Sequence, residues 1–259
     1  MRPWQVTVIS LFVAAGSVRA QWPSPKTVGI PRTPDGKADL SAKAPRTPDG
    51  RPNLSGLWTI ETEEFWEDIG AGLKPEEVPL QSWAATLFRE RRANLGKDNP
   101  IARCMPAGVP TIDTIPVPHK IIQTTSFIAI LYEYNMQYRQ IFTDGRSLPQ
   151  DPNPNWMGYS VGRWEGDTLV VDVTRLSDDT WLADNGFFHS SKLHVTERLK
   201  RVGDTIQYQM TAEDPQVLAK PWTIGRTLTL QSDTLQEAAA CVDNDAGHYV
   251  NQEHHDNGR

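Results

Sequence analysis

From Lys97 onward, apolar positions alternate with polar ones in short runs: "HKIIQTTSFIAILYEY", "RQIFTDG", "GYSVGRWEGDTLVVDVT", "KLHVTERLKRVGDTIQYQMT", "KPWTIGRTLTL" and "LQEAAACVDND". A period of two, rich in β-branched and aromatic residues and broken by Gly, Asp and Pro, predicts strands. "EGD" and "VGD" between such runs predict short Gly-containing hairpin loops. Upstream the period changes. "PLQSWAATLFRERRANLG" places Leu80, Trp83, Ala84, Leu87 and Phe88 on one helical face and ends on Gly96, which predicts one amphipathic helix near 80–94. Its basic last turn complements the helix dipole. About eight to ten successive antiparallel strands with one N-terminal helix predict a mainly β fold, an antiparallel barrel or strongly curved sheet of calycin or lipocalin type. A fold of that kind often holds a ligand inside or at its mouth.

One run breaks its own pattern. In "FFHSSKLHVTERLKR" the alternation sends Leu193, Val195 and Leu199 to one side and His194, Thr196, Arg198 and Lys200 to the other, so Glu197 falls on the apolar side. An inward carboxylate is expensive unless it is paired or has a function.

The ends of the chain read differently. "MRPWQVTVISLFVAAGSVRA" has an early arginine, an apolar run from Val6 to Ala15 and small residues before a cleavage point, which predicts a signal peptide over 1–20 and a periplasmic or secreted protein. No segment approaches the roughly 20 apolar residues of a transmembrane helix. Residues 21–53, with "PRTPDG" twice, predict a Pro-rich extended linker, residues 54–245 a single β domain, and residues 246–259 a polar tail. Removing the signal takes two arginines and no acid, so the net charge moves from −6 to (26 − 2) − 32 = −8. An acidic chain without a basic run argues against nucleic acid and anionic membrane as partners. Oligomeric state stays open. In an oxidising compartment Cys104 and Cys241 are expected to form a disulfide, with two buried thiols as the alternative.

Gly56-Leu57-Trp58 before a first strand resembles the glycine-x-tryptophan start of lipocalin barrels, in which the Trp closes one end. The segments "ARCMPAGVP", "IFTDGRSLPQDPNPNWMGYSVGRWEGDTLVVDVT", "DDTWL" and "HSSKLHVTERLKR" resemble an exported bacterial family of uncharacterised proteins. That resemblance implies export and fold class, and it carries no reaction.

Three chemistries compete. Gly158-Tyr159-Ser160-Val161-Gly162 matches the nucleophile elbow of serine hydrolases, but "RWEGDTLVVDVT" after it reads as a hairpin where the elbow requires a helix. His189, His194 and Glu197 are three potential metal ligands, yet a strand sends 194 and 197 to opposite faces, and a shared ion would need a bulge. The histidines at 248, 254 and 255 fall in the polar tail.

Metal-free acid–base chemistry is the leading expectation. Glu197 and His189, with His194, are its candidate catalytic groups. Arg198, Arg146 and His119 would position a substrate, and Tyr159, Trp164, Trp181 and Trp222 would supply stacking walls. No metal or cofactor is expected, since Gly-rich nucleotide loops and CxxC pairs are missing. The expected activity is a lyase, isomerase or hydrolase acting on a small organic molecule in a barrel cavity. The alternatives are a non-catalytic lipocalin-like binding protein and a structural envelope protein.

Overall fold

The computed structural model describes residues 44–60, 69, 77–183, 185–232 and 234–237. The expected signal peptide, most of the linker, the polar tail and Cys241 lie outside the described residues. Among the described residues nine strands run in chain order: β1 (Gly56–Ile60), β2 (His119–Gln123), β3 (Phe127–Tyr132), β4 (Tyr138–Phe142), β5 (Tyr159–Glu165), β6 (Thr168–Thr174), β7 (His194–Val202), β8 (Thr205–Glu213) and β9 (Trp222–Gln231). They close into a barrel in that same order, β9 pairing back onto β1 from Leu57↔Gln231 to Ile60↔Leu228. The protein is therefore mainly β, a closed barrel with one α-helix among the described residues, α1 (Ser82–Ala93), consistent with a calycin- or lipocalin-like architecture. No helix among the described residues is long and apolar enough to cross a membrane.

Local sequence accounts for most of the closure. Gly166-Asp167 joins Glu165 to Thr168, and Gly203-Asp204 joins Val202 to Thr205. Both glycines have φ near +60° (Gly166 +60°, Gly203 +57°), as the first central residue of a two-residue hairpin turn requires. The last expected strand is absent in its described part, since 234–237 carry no strand pairing. In α1 only Ala84 is fully buried, and Trp83 is 54% exposed; its indole N–H donates to the Gln216 carbonyl at 3.0 Å. Arg91 in the last turn lies over Trp181 and Phe188 at 4.5 and 4.6 Å, so it stacks as well as serving the dipole.

Trp58 of β1 is fully buried in the core, its indole N–H donating to the Leu54 carbonyl at 2.9 Å while Arg201 stacks on it at 5.0 Å. The rest of the interior is filled by the inward rows of all the strands, including Ile121, Ile130, Ile141, Val171, Leu199 and Leu228.

The antiparallel expectation holds at eight of the nine interfaces, and β4–β5 is parallel. A closed ring with an odd number of strands cannot alternate direction throughout, so at least one parallel interface is compulsory. A parallel pair also needs a long crossover, here residues 143–158. Only Ile141↔Ser160 and Phe142↔Val161 pair across it, so β4 and β5 splay apart towards Tyr138 and Met157.

The crossover returns to the wall at Gly158, whose φ is +61° and where a Cβ would lie 2.7 Å from the Thr174 carbonyl oxygen. Gly158→Ala is expected to destabilise by about 1–3 kcal/mol, since strained φ and a backbone clash coincide. Urea unfolding should show a lower midpoint at unchanged slope; an unshifted midpoint would mean the crossover is not tied down there.

Candidate functional site

Glu197 points inward, as its place in the alternation predicts, and meets an arginine three strands away around the barrel wall. Arg139 on β4 shares the inward row with Ile141, and its guanidinium lies between two carboxylates. Its NH1 donates to Asp113 Oδ2 at 2.8 Å and to Glu197 Oε1 at 3.1 Å. Its NH2 donates to Glu197 Oε2 and to Ser160 Oγ, the latter at 3.1 Å, and Nε donates to the same Oγ at 3.2 Å. All five N–H groups are thereby used. Tyr208 donates to Glu197 Oε1 at 2.7 Å and Tyr132 to Asp113 Oδ1 at 2.5 Å. The Arg139, Asp113 and Glu197 side chains are 2%, 7% and 1% exposed, so water does little to screen them.

Two carboxylates and one guanidinium leave one negative charge uncompensated, which favours a proton on the network. Burial, opposed by Arg139 and reinforced by the Glu197 charge, pushes the Asp113 carboxyl up to about 7. Burial works against the Arg139 charge, but the Glu197 and Asp113 carboxylates outweigh it and raise the guanidinium above its ordinary range. Burial raises the Tyr132 and Tyr208 phenols, with the neighbouring carboxylates adding to the effect. His119 faces the same interior, and burial lowers it to about 4, so it is a neutral imidazole. The cavity shared by Asp113, His119, Arg139, Glu197 and Tyr208 measures only about 10 Å³, room for about one water.

The expected catalytic trio is not assembled. His194 lies on the outer face of β7, its ring nitrogens 3.3 Å from Asp172 and 3.4 Å from Glu213. His189 is buried in the loop before β7, where its Nε2 lies 2.8 Å from Thr180 Oγ1 and its Nδ1 3.0 Å from the Ser190 carbonyl. Neither histidine lines the cavity that holds Glu197. The alternation that turns Glu197 inward turns His194 outward, and no bulge brings them together as metal ligands. Nor does the interior have space for a substrate beside Glu197, because apolar side chains and the ion network fill it.

The expected binding residues divide among several places. Arg198 is on the outer face, donating to Glu165 at 3.0 Å. Trp164 packs against the core with Arg51 over its ring at 5.9 Å. Trp181 lies beneath α1, and Trp222 stacks edge-on to Phe187 at 5.2 Å. Tyr159 and Arg146 do come together, in a cleft of about 820 Å³ over the splayed β4–β5 seam. Tyr138 and Phe142 of β4, Tyr159 of β5, and Trp156 and Met157 of the crossover wall it, and Ser160 is the one residue shared by cleft and ion network. Ser160 is mid-strand and runs into the β5–β6 hairpin, so the nucleophile-elbow geometry is absent.

Sequence reasoning passed over Arg139, although its parity with Ile141 marks it as inward. Asp113 follows no periodic pattern, sitting in the 3-10 turn Thr111–Asp113. No family model and no curated protein matches this chain.

Two substitutions probe the network. Arg139→Met leaves two buried carboxylates without their cation and is expected to cost about 3–5 kcal/mol, more at pH 8 than at pH 5.5, where protonation can relieve the repulsion. A loss below about 1 kcal/mol at both pH values in urea unfolding would show that the guanidinium is not the anchor. Asp113 gives the opposite signature. Its folded value, about 7, lies above its ordinary 3.8, so its stabilising proton is fully effective below about pH 4 and lost as pH rises through 7. Asp113→Asn mimics the protonated acid, and its stability relative to the wild type is expected to rise from pH 5 to about pH 7 and then level off towards pH 8. A constant difference over that range would place the proton elsewhere.

Proposed function

We propose that the protein is an exported small-molecule-binding protein whose site is the cleft over the β4–β5 seam. The observation that carries this reading is the cleft itself: about 820 Å³, within the size range of ligand pockets, with aromatic walls and few polar groups. Tyr138 is 63% exposed on this wall, and Met136 beside it is also exposed. Large side chains left open around a concavity suit a ligand better than they suit water.

The acid–base enzyme reading draws on one observation, a carboxyl at Asp113 that titrates near neutral pH. The route from that carboxyl to the cleft passes through Arg139, which the flanking carboxylates hold protonated and which cannot relay a proton. Ser160 has guanidinium N–H groups as its neighbours and no base to activate it. The geometry thus favours recognition over catalysis. Export to the periplasm or medium, and a Cys104–Cys241 disulfide, belong to the same proposal, supported by the leader-like first twenty residues and by the resemblance to an exported family.

A thermal-shift screen of the full chain against a library of small aromatic compounds tests the reading. Compounds that raise the melting temperature are expected to lose about tenfold or more in affinity in Tyr138→Ala and Tyr159→Ala. Binders indifferent to both changes would place the site elsewhere, and a library without binders would remove the proposal.

A further inference from the structure

We infer that the ligand of this cleft is a small aromatic carboxylate, its rings on the aromatic walls and its acid group on the open edge of the Arg146 guanidinium. The inference rests on the binding reading above and adds the chemistry of the occupant.

The alternation of the two seam strands decides which side chains face the cleft. Tyr138, Gln140 and Phe142 form the outer row of β4, and Tyr159 and Val161 that of β5, while Arg139 and Ser160 are buried on the inner side. Among the described residues that line this space Arg146 is the only charged one, and there is no acid. A cationic ligand would therefore meet a like charge and no counter-ion.

Arg146 is fixed on two sides. Its guanidinium lies over the Phe142 ring, 3.9 Å from the ring centre. Nε donates to both oxygens of Asp144, at 2.9 and 3.0 Å, and Nη2 donates to Oδ2 at 2.6 Å. Arg146 and Phe142 line the cleft and Asp144 does not, so the edge that Asp144 engages is turned away from it. A guanidinium carries five N–H groups. Two serve Asp144, and the other three, two on Nη1 and one on Nη2, have no acceptor among the described residues. Nη1 and Nη2 form the end of the fork, whose spacing matches the two oxygens of a carboxylate.

The ring below and the acid beside it orient this fork before a ligand arrives, so little side-chain freedom is lost on binding. The Arg146 side chain is 52% exposed, and water screens the Asp144 charge. What a second carboxylate gains is then mainly two aligned hydrogen bonds, where a neutral amide offers the same donors one oxygen. Length narrows the class further. Tyr138 stands four residues before Phe142 on β4, roughly 13 Å at about 3.3 Å per residue. One or two fused rings ending in a carboxylate suit that interval, with Tyr159 across the seam to stack on them.

The test uses three naphthalene probes: 2-naphthoate, its uncharged isostere 2-naphthamide, and 2-naphthylmethylammonium. Titration of the full chain at neutral pH is expected to give a naphthoate affinity about tenfold or more above the amide, with the ammonium weakest. Arg146→Gln should bring the naphthoate down to the level of the amide and leave the amide unchanged. Arg146→Lys, which keeps the charge without the fork, should not restore the preference. Arg146 is an exposed residue, so both variants are expected to fold. Equal affinities for acid and amide, preference for the ammonium, a preference that survives Arg146→Gln, or its full return in Arg146→Lys would each overturn the inference. Where the amide still weakens in Tyr138→Ala and Tyr159→Ala, the binding reading survives and only the carboxylate assignment falls. Failure of all three to bind would overturn the assignment, leaving the cleft itself to the library screen.

Discussion

A ring of nine strands that alternate in direction cannot close on itself, and the rest of this structure follows from where the compulsory mismatch falls. It lies between β4 and β5, where two residue pairs replace the five to nine found along most of the other interfaces. A barrel wall this weakly paired would expose backbone donors and acceptors at an internal edge. The guanidinium of Arg139 crosses the gap instead, reaching Ser160 on β5 from β4 and Glu197 on β7 beyond. With Tyr132, Tyr208 and Asp113 joining it, one buried cation ties together five strands and the 3-10 turn before β2.

That solution carries an electrostatic cost. Buried ion groups commonly do no better than apolar side chains of similar volume, and here the charges do not balance. The excess is reduced by the proton on Asp113, raised towards neutrality by burial and by Glu197. What the network supplies is direction: five N–H groups in a planar fork fix where four oxygens must lie, which hydrophobic packing across a splayed seam cannot do.

Much of the wall was legible in the chain because it depends on local chemistry. Alternation predicted the strands, and glycine at the first position of "GD" set both hairpin turns. The anomaly at Glu197 was legible for the same reason. Its answer was not, because a partner three strands away, from a run separated by over fifty residues, leaves no local signal. His189 is near Glu197 in sequence, yet its ring is committed to the Thr180 hydroxyl and the Ser190 carbonyl. The cleft was hidden for a different reason. Its walls come from outward positions such as Tyr138 and Tyr159, which in an evenly paired strand would simply face solvent; only the parallel seam and its crossover turn them into a pocket.

A lipocalin-like barrel ordinarily keeps its interior for a ligand. This one keeps it for Arg139, and the space left beside the guanidinium is about 10 Å³ against about 820 Å³ outside the seam. The two are consequences of one another. A cation that spans the seam from within must fill the centre of the barrel, and strands held apart at the seam must leave a concavity on the outer side, which the crossover then roofs. Ser160 belongs to both because it stands where the two strands begin to pair. On the inner face Ser160 takes the two guanidinium N–H groups that the carboxylates leave, while its neighbours Tyr159 and Val161 line the cleft on the outer face, so one strand serves both sides of the seam.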